Sequence, residues 1–350
     1  MIRNQWYVIL ESREVDGKLR KFRRMGESLV LWRDENGKVS CLVDRCCHRG
    51  AALSAGKLEN GQVQCPFHGL EYDGNGKCTC IPANSRASKV PGNFRVPAYP
   101  VHEEHGWIWI WWGDAADKRS SAEKPGDDVS ILPYNAKVST PESTPAYFPD
   151  LDGSFYTATV KDPWKTHYSR VLENQLDVVH LPFVHHNTIG RGNRKVVDGP
   201  GVEWIGPRML YTYVFNRVDD GTPPRKPDEV PVPPKDKDFK LELIMPNLWE
   251  NRISEKLRIV AAFVPVDEDQ TLLYLRTYQR FFRIPFFRGL FNRIMCRSNI
   301  FIAHQDRRVV QTQVPKRSSL RGGEQLFQGD LPIIEYRKKR NEMLSAADNH

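Results

Sequence analysis

Short apolar runs separated by polar, turn-forming residues recur through the first 112 positions, which predicts a series of short β-strands. Leu29-Val30-Leu31-Trp32, which follows Gly26-Glu27-Ser28, and the run Val39 to Val43 flank Asp34-Glu35-Asn36-Gly37 and read as a hairpin. Asp73-Gly74-Asn75-Gly76 is a second turn of this kind. Trp107-Ile108-Trp109-Ile110-Trp111-Trp112 alternates aromatic and aliphatic side chains, as a strand packed on both faces requires. Beyond it, Gly113 to Asp128 is Asp, Lys, Arg, Ser, Glu, Pro and Gly without apolar periodicity. The pattern therefore predicts a β domain over 1–113, a linker over 114–128 and a second domain over 129–350.

In the second domain strands are mixed with helices, an α+β arrangement. Leu257 to Val266 and Thr271 to Phe281 surround Asp267-Glu268-Asp269-Gln270 as an antiparallel hairpin. Ser169 to Leu181 carries apolar residues at helical spacing, and Pro182 is read as its stop. Phe286 to Gln313 repeats a helical pattern over several turns. The stretch 219–238 holds six prolines amid charges and reads as a surface loop, with an active-site flap as the other reading.

Composition narrows the class. Charged residues are 27% and hydrophobic ones 40% of the 350, a globular balance. The net charge of +8 is scattered without a basic run, which argues against nucleic acid as a partner and suits an acidic protein or an anionic small molecule. The apolar stretch Ile284 to Ala303 is interrupted by Arg288, Arg293 and Arg297, so it reads as an amphipathic helix with a buried face and not as a membrane span. Met1-Ile2-Arg3-Asn4-Gln5-Trp6 has none of the features of an export signal, and seven cysteines in such a chain point to a reducing, cytoplasmic compartment where thiolates serve metals.

The cysteine spacing is informative. Cys46-Cys47-His48-Arg49-Gly50 is followed by Cys65-Pro66-Phe67-His68-Gly69, a C-x-H and a C-x-x-H separated by sixteen residues. Two Cys and two His could bind zinc, but the compact pairs do not match the usual zinc spacings. They fit a [2Fe–2S] cluster in which two thiolates hold one iron and two imidazoles the other. Neutral imidazoles raise the potential to about −150 to +300 mV, against about −400 mV for all-cysteine plant-type clusters. Cys47, Cys41, Cys78, Cys80 and Cys296 are read as packed or free thiols.

A second constellation lies at Asn174, Asp177, His180 and His185. Asp177 and His180, three apart, would share a helix face, and the chain after Pro182 would bring His185 back to the same point. Two imidazoles with one carboxylate leave positions open on a mononuclear iron for O2 and substrate. Asp306 is the candidate carboxylate: it shares a helical stripe with Ile302, Val309 and Val310, where an uncompensated charge is costly. A buried ion pair with an arginine is the alternative for Asp306, and His304 faces away from it.

Cys46-x-His48 followed by Cys65-x₂-His68 resembles the Rieske motif. With His180, His185 and Asp306 the whole chain resembles Rieske non-haem iron oxygenases, the terminal oxygenase α subunits of the α-only branch. Respiratory Rieske proteins carry a further cysteine in each loop, joined as a disulfide, where this chain has Ala51 and Phe67. The resemblance implies an all-β Rieske domain followed by a helix-grip catalytic domain, an antiparallel sheet around a helix with a substrate cavity between. It implies a [2Fe–2S] Rieske cluster, a mononuclear Fe(II), and a homotrimer in which Asp177 bridges His68 of a neighbouring subunit to His180, with Asn174 beside the iron. It also implies a separate reductase or ferredoxin as electron donor, since no flavin, nicotinamide or plant-type ferredoxin motif occurs. The expected activity is hydroxylation or O-/N-demethylation of a small organic substrate, aromatic or cyclic, with O2. Aromatic-ring cis-dihydroxylation and a non-catalytic Rieske electron carrier are the rivals. Candidate pocket residues lie in 241–249 and 187–200.

Overall fold

A computed structural model describes residues 1–116, 132–230 and 240–348. The chain forms two compact units, Met1–Pro145 and Ala146–His350. The first unit runs past the expected boundary at 113. Leu132 and Ala136 enter its core, Ser139 Oγ donates to Asn4 Oδ1 at 3.0 Å, and Trp6 Nε1 donates to the Ser143 carbonyl at 2.7 Å. The composition of this return segment is polar, and only its few anchoring side chains carry the packing. Residues 117–128 of the expected linker and 231–238 of the proline-rich stretch lie outside the described residues.

The first unit is antiparallel β throughout its strands. β1 (Trp6–Glu11) pairs with β10 (Trp107–Trp111), which pairs with β9 (Val101–Glu104). β2 (Arg20–Arg24), β3 (Glu27–Arg33) and β4 (Val39–Val43) make a second sheet. β5 (Lys57–Glu59), β6 (Gln62–Gln64), β7 (Glu71–Tyr72) and β8 (Cys78–Cys80) make the third. The β3–β4 hairpin is built as its sequence requires: Asp34 Oδ1 accepts the amides of Asn36 and Lys38, both at 2.9 Å. Asp73 makes the same two bonds to Asn75 and Lys77 between β7 and β8. Successive residues of β3 feed two different cores. Leu29 and Leu31 pack with Tyr7, Ile108 and Ile110, while Val30 and Trp32 pack with Leu42, Val63, Tyr72, Cys46 and Cys65. The second of these cores underlies both Cys-His loops.

The second unit has one seven-stranded antiparallel sheet. Its order is β11 (Tyr156–Trp164), β17 (Thr271–Gln279), β16 (Leu257–Pro265), β15 (Leu248–Ser254), β14 (Lys240–Ile244), β13 (Met209–Arg217) and β12 (Val196–Ile205). Register places Asp162, Thr277, Leu275, Ala261, Trp249, Leu243, Asn251, Leu241 and Thr212 on one face. Helices cover that face. On α3 (Pro285–Val310), Asn299 Nδ2 donates to Thr277 Oγ1 at 2.9 Å and Arg307 pairs with Asp162. Near the end of α1 (Tyr168–Leu176), the Val178 carbonyl accepts Asn216 Nδ2 at 3.3 Å. The unit is the α+β, helix-on-sheet architecture that the resemblance implied. Among the described residues no helix is long and apolar enough to cross a membrane.

Two helical expectations are corrected. α1 ends at Leu176 and not at Leu181, and Pro182 does not stop it. Pro182 instead sits in the first turn of a short helix, α2 (Leu181–Val184), where its missing N–H costs nothing. The buried stripe of α3 is Asn299, Ala303, Asp306 and Val310, whereas Val309 is exposed. Its first turns leave Phe286, 74% exposed, and Phe287, Leu290 and Ile294 open to solvent, so among the described residues the face expected to be buried is uncovered. α4 (Leu331–Asp348) is fastened to α1 by Arg337, whose guanidinium donates to both oxygens of Glu173 at 2.6 and 3.1 Å.

Candidate metal centres

The two Cys-His loops share one backbone plan. In the loop after β4 the Cys46 amide donates to Ala51 and the Gly50 amide to Cys46; in the loop after β6 the Cys65 amide donates to Leu70 and the Gly69 amide to Cys65. Gly50 and Gly69 both have φ of +74°, a conformation that carries strain for a side chain and lets each loop turn its Cys inward and its His outward. Cys46 and Cys65 are buried, while His48 and His68 are exposed with ring centroids 4.7 Å apart. A thiolate pair inside and an imidazole pair outside is the donor arrangement a mixed-ligand two-iron cluster needs. Burial pushes the free Cys46 thiol up to about 11, so occupancy by metal, which requires the thiolate, displaces a proton. Sequence reasoning missed Tyr72. Its hydroxyl lies 3.0 Å from Cys46 Sγ and 3.3 Å from Cys47 Sγ, from a strand 26 residues on.

The second constellation is brought together by the two residues that flank α2, His180 before it and His185 after it, and by α3. His185 Nε2 lies 2.8 Å and His180 Nε2 3.4 Å from the same oxygen, Asp306 Oδ1. Among the described residues no arginine pairs with Asp306; its partners are the two imidazoles. The Oδ1 atom is buried, yet neither approach has hydrogen-bond geometry, so a carboxylate oxygen 3% exposed overall is left without a hydrogen bond. Adjacent ligands on a metal held at about 2.1 Å sit about 3 Å apart, which is the spacing seen. Burial raises the Asp306 carboxyl, but His180 and His185 outweigh it and hold it below the ordinary range.

The orientation of each imidazole has a cause. His185 Nδ1 is 2.8 Å from Gln305 Oε1; because the amide oxygen only accepts, Nδ1 carries the proton and Nε2 presents its lone pair to Asp306. Gln305 is itself held, accepting from Thr188 Oγ1 at 3.0 Å and donating to Asn187 Oδ1 at 3.1 Å. The sequence analysis did not find Gln305, although its place beside Asp306 was visible. Asp177 does not share a helix face with His180. It is the residue that closes α1, and its Oδ1 accepts the amides of Val179 at 2.7 Å and His180 at 3.2 Å, a local turn that brings the carboxylate 3.7 Å from His180 Nδ1. Asn174 lies one turn earlier, its Nδ2 buried and without a partner. His186 is exposed against the Phe183 carbonyl, and His304 faces Asp162 at 3.2 Å, away from the triad. His180, His185 and Asp306 thus form a donor set that could hold one metal ion, as two imidazoles and a carboxylate facing one point.

Comparison with known proteins places the chain in a family. The family model of the Rieske [2Fe-2S] domain matches residues 5–100, and that of the vanillate O-demethylase oxygenase C-terminal domain matches residues 164–346. The chain is 34% identical over 192 residues to a chloroplastic chlorophyllide a oxygenase of Chlamydomonas reinhardtii, an alignment covering 55% of this chain and 26% of that protein. It is 31% identical over 205 residues to the oxygenase component of dicamba O-demethylase of Stenotrophomonas maltophilia, covering 57% of this chain and 54% of that protein. These alignments span from about a quarter to about half of the relatives' own length. In fold, dicamba monooxygenase bound to dicamba superposes with a TM-score of 0.69 at 20% identity, covering 100% of this chain and 99% of the other. Pseudomonas putida CBB5 NdmA superposes with a TM-score of 0.72 at 19% identity, covering 99% and 94%. With the second family model alone covering more than half of its length, the chain belongs to the Rieske non-haem iron oxygenases, a Rieske [2Fe–2S] domain joined to a vanillate O-demethylase-type oxygenase domain.

Proposed function

We propose that the chain is the terminal oxygenase component of a multicomponent system, taking electrons from a separate reductase or ferredoxin and using O2 to hydroxylate, or O- or N-demethylate, a small organic substrate. The convergence of His180, His185 and Asp306 on one point, in a chain that also carries the Cys46, His48, Cys65 and His68 set, supports this reading most directly. When bound, the cluster and the ferrous ion supply one-electron storage and activation of O2. The residues of the chain do the rest. His180, His185 and Asp306 are the metal ligands and occupy one side of the site. Gln305 fixes the His185 tautomer, and Asp177 positions His180 and joins it to the His68 of a neighbouring subunit in a homotrimer. Asn174 offers a neutral polar group near the metal ligands. The uncovered Phe286, Phe287, Leu290 and Ile294 on α3 support association with further copies.

The substrate lies, in this reading, between α3 and the helix-covered face of the sheet. On that face Thr212 Oγ1, Trp249 Nε1 and Asn251 Oδ1 are buried and have no hydrogen-bond partner. A buried unpaired polar atom costs about 1–3 kcal/mol, so three on one wall support a bound molecule that pairs with them. Oxygenation of a methoxy or N-methyl carbon gives a hemiacetal or hemiaminal, whose collapse releases formaldehyde and the demethylated product, while two electrons from the reductase and two protons convert the second oxygen atom to water.

The test is substrate-dependent O2 uptake with a surrogate reductase across aromatic, methoxylated, N-methyl and steroid-like compounds. Formaldehyde released in step with O2 consumed supports demethylation. A vicinal cis-diol without formaldehyde would replace it by ring dihydroxylation, and uptake unaffected by every compound would favour the electron-carrier reading.

A further inference from the structure

The face of the sheet turned away from the helices carries a different chemistry. Where the β15–β16 turn meets the chain leaving β17, Arg252, Lys256, Arg258, Arg280 and Arg283 line a cleft of about 420 Å³ with Asp150 and Glu255 as its anions. Five cations line the cleft with two carboxylates, and Glu242 and Glu250 are buried behind Asp150. Register sets Arg252 directly opposite Arg258, a like-charge pair that disfavours the strand pairing that holds it.

Two of the cations, Arg258 and Arg280, are poorly matched within the protein. Arg258 is 1% exposed, yet its ion pair with Asp150 Oδ2 is 3.4 Å long, its bond to the Leu257 carbonyl is 3.5 Å, and its Nε has no hydrogen-bond partner. Glu250 Oε1 stands 3.5 Å from that Nε without bonding geometry. Burial, with Asp150 and Glu242 nearby, raises the Glu250 carboxyl well above the ordinary carboxylate range, which weakens it as a counter-charge to the guanidinium. Arg252 reaches the same Asp150 oxygen at 3.4 Å, so one carboxylate serves two guanidinium groups. The Arg280 Nε is also buried without a partner, and its guanidinium is stacked 4.0 Å from the centre of the Phe155 ring, which fixes its plane. A buried guanidinium with long bonds retains most of its desolvation cost, and an oxyanion with several acceptor oxygens is the partner that relieves it.

We propose that this cleft is a binding site for a small polyanion of the phosphate or polycarboxylate class, gripped by Arg252, Arg258 and Arg280, with Lys256 and Arg283 at its mouth. The site is separate from the metal triad and from the substrate wall, which belong to the other face of the sheet. Its volume accommodates a molecule larger than a single phosphate.

Isothermal titration of the holoprotein with pyrophosphate and with citrate, at constant ionic strength set by chloride, tests this. Saturable binding of either at one per chain is expected, and the tighter one names the class. Arg280→Ala should weaken binding at least about tenfold, Arg258→Gln more, and Arg283→Ala less, with the visible absorption of the cluster retained in each as the check on folding. Heats no larger than the chloride control for both anions, or an affinity that Arg280→Ala leaves unchanged, would overturn the proposal.

Discussion

The two candidate metal sites are built on opposite plans. At the first, four donors come from two loops seventeen residues apart that repeat one hydrogen-bonding scheme, with sulfur inside and imidazole outside. At the second, the donors come from elements more than a hundred residues apart; His185, 1% exposed, and Asp306 are withdrawn from water, and His180 is partly buried. The difference suits the roles proposed for the two sites. A site that receives electrons from another protein needs a solvent-reaching edge, and the exposed His48 and His68 would provide it. A site that handles O2 benefits from exclusion of water, which the burial of His185 and Asp306 would provide. The first site therefore depends on local turns and the second on the packing of α3 against the sheet.

Substitutions that touch one plan only should separate the sites. The largest effect is expected for Asp306→Ala, which removes the carboxylate on which both imidazoles converge. Turnover and the mononuclear iron should be lost while the visible absorption of the cluster stays, and a variant that keeps all its iron would show that another carboxylate serves. Asp177→Asn should leave cluster reduction intact, yet lower turnover by more than the roughly 10–100-fold typical of an orienting partner. Unimpaired product formation would refute a bridging role.

Gln305→Leu should free the His185 tautomer and weaken metal binding at the triad by about 10–100-fold, read by competition with a chelator, with no change at the cluster. Tyr72→Phe makes the converse test. Removing a donor to Cys46 Sγ, a bond contributing about 1 kcal/mol, should lower the cluster potential by about 40 mV, read by a spectroscopic redox titration, without altering iron content.

A pH effect belongs to neither site. His167 begins α1, its Nδ1 accepting the Ser169 amide at 3.2 Å, and burial, helped by Arg340, Arg317 and Arg170, holds it down at about 2 despite Glu268 at 3.5 Å. The unfolded chain binds the proton near pH 6.5 and the folded chain does not, so stability falls as pH drops below 6.5. The loss should reach about 1.4 kcal/mol at pH 5.5. Denaturant titration at pH 7.5 and 5.5 should show this slope in the native chain and a weaker one in His167→Asn.

What the sequence revealed follows the same division. The cluster loops were legible because ligands, glycines and spacing are contiguous, and the strands of the first unit because short apolar runs between turn-forming residues are a local signal. Asp306 was found through its helical stripe, since a carboxylate among apolar neighbours needs a partner. The position of Asp177 was misread because Pro182 fits both the end of one helix and the start of the next, and only the backbone at Asp177 distinguishes them. Gln305 and Tyr72 carry no local mark, because their partners arrive from 120 and 26 residues away. The exposed turns of α3 show the same limit: periodicity reveals an apolar face and does not say what covers it.

The most direct test is a metal and sulfide count, with low-temperature paramagnetic resonance, on anaerobically reconstituted protein. Two dissimilar centres predict about three irons and about two acid-labile sulfides per chain, with a rhombic signal appearing on reduction. A colourless protein, or one holding a single zinc in place of the cluster, would contradict the account.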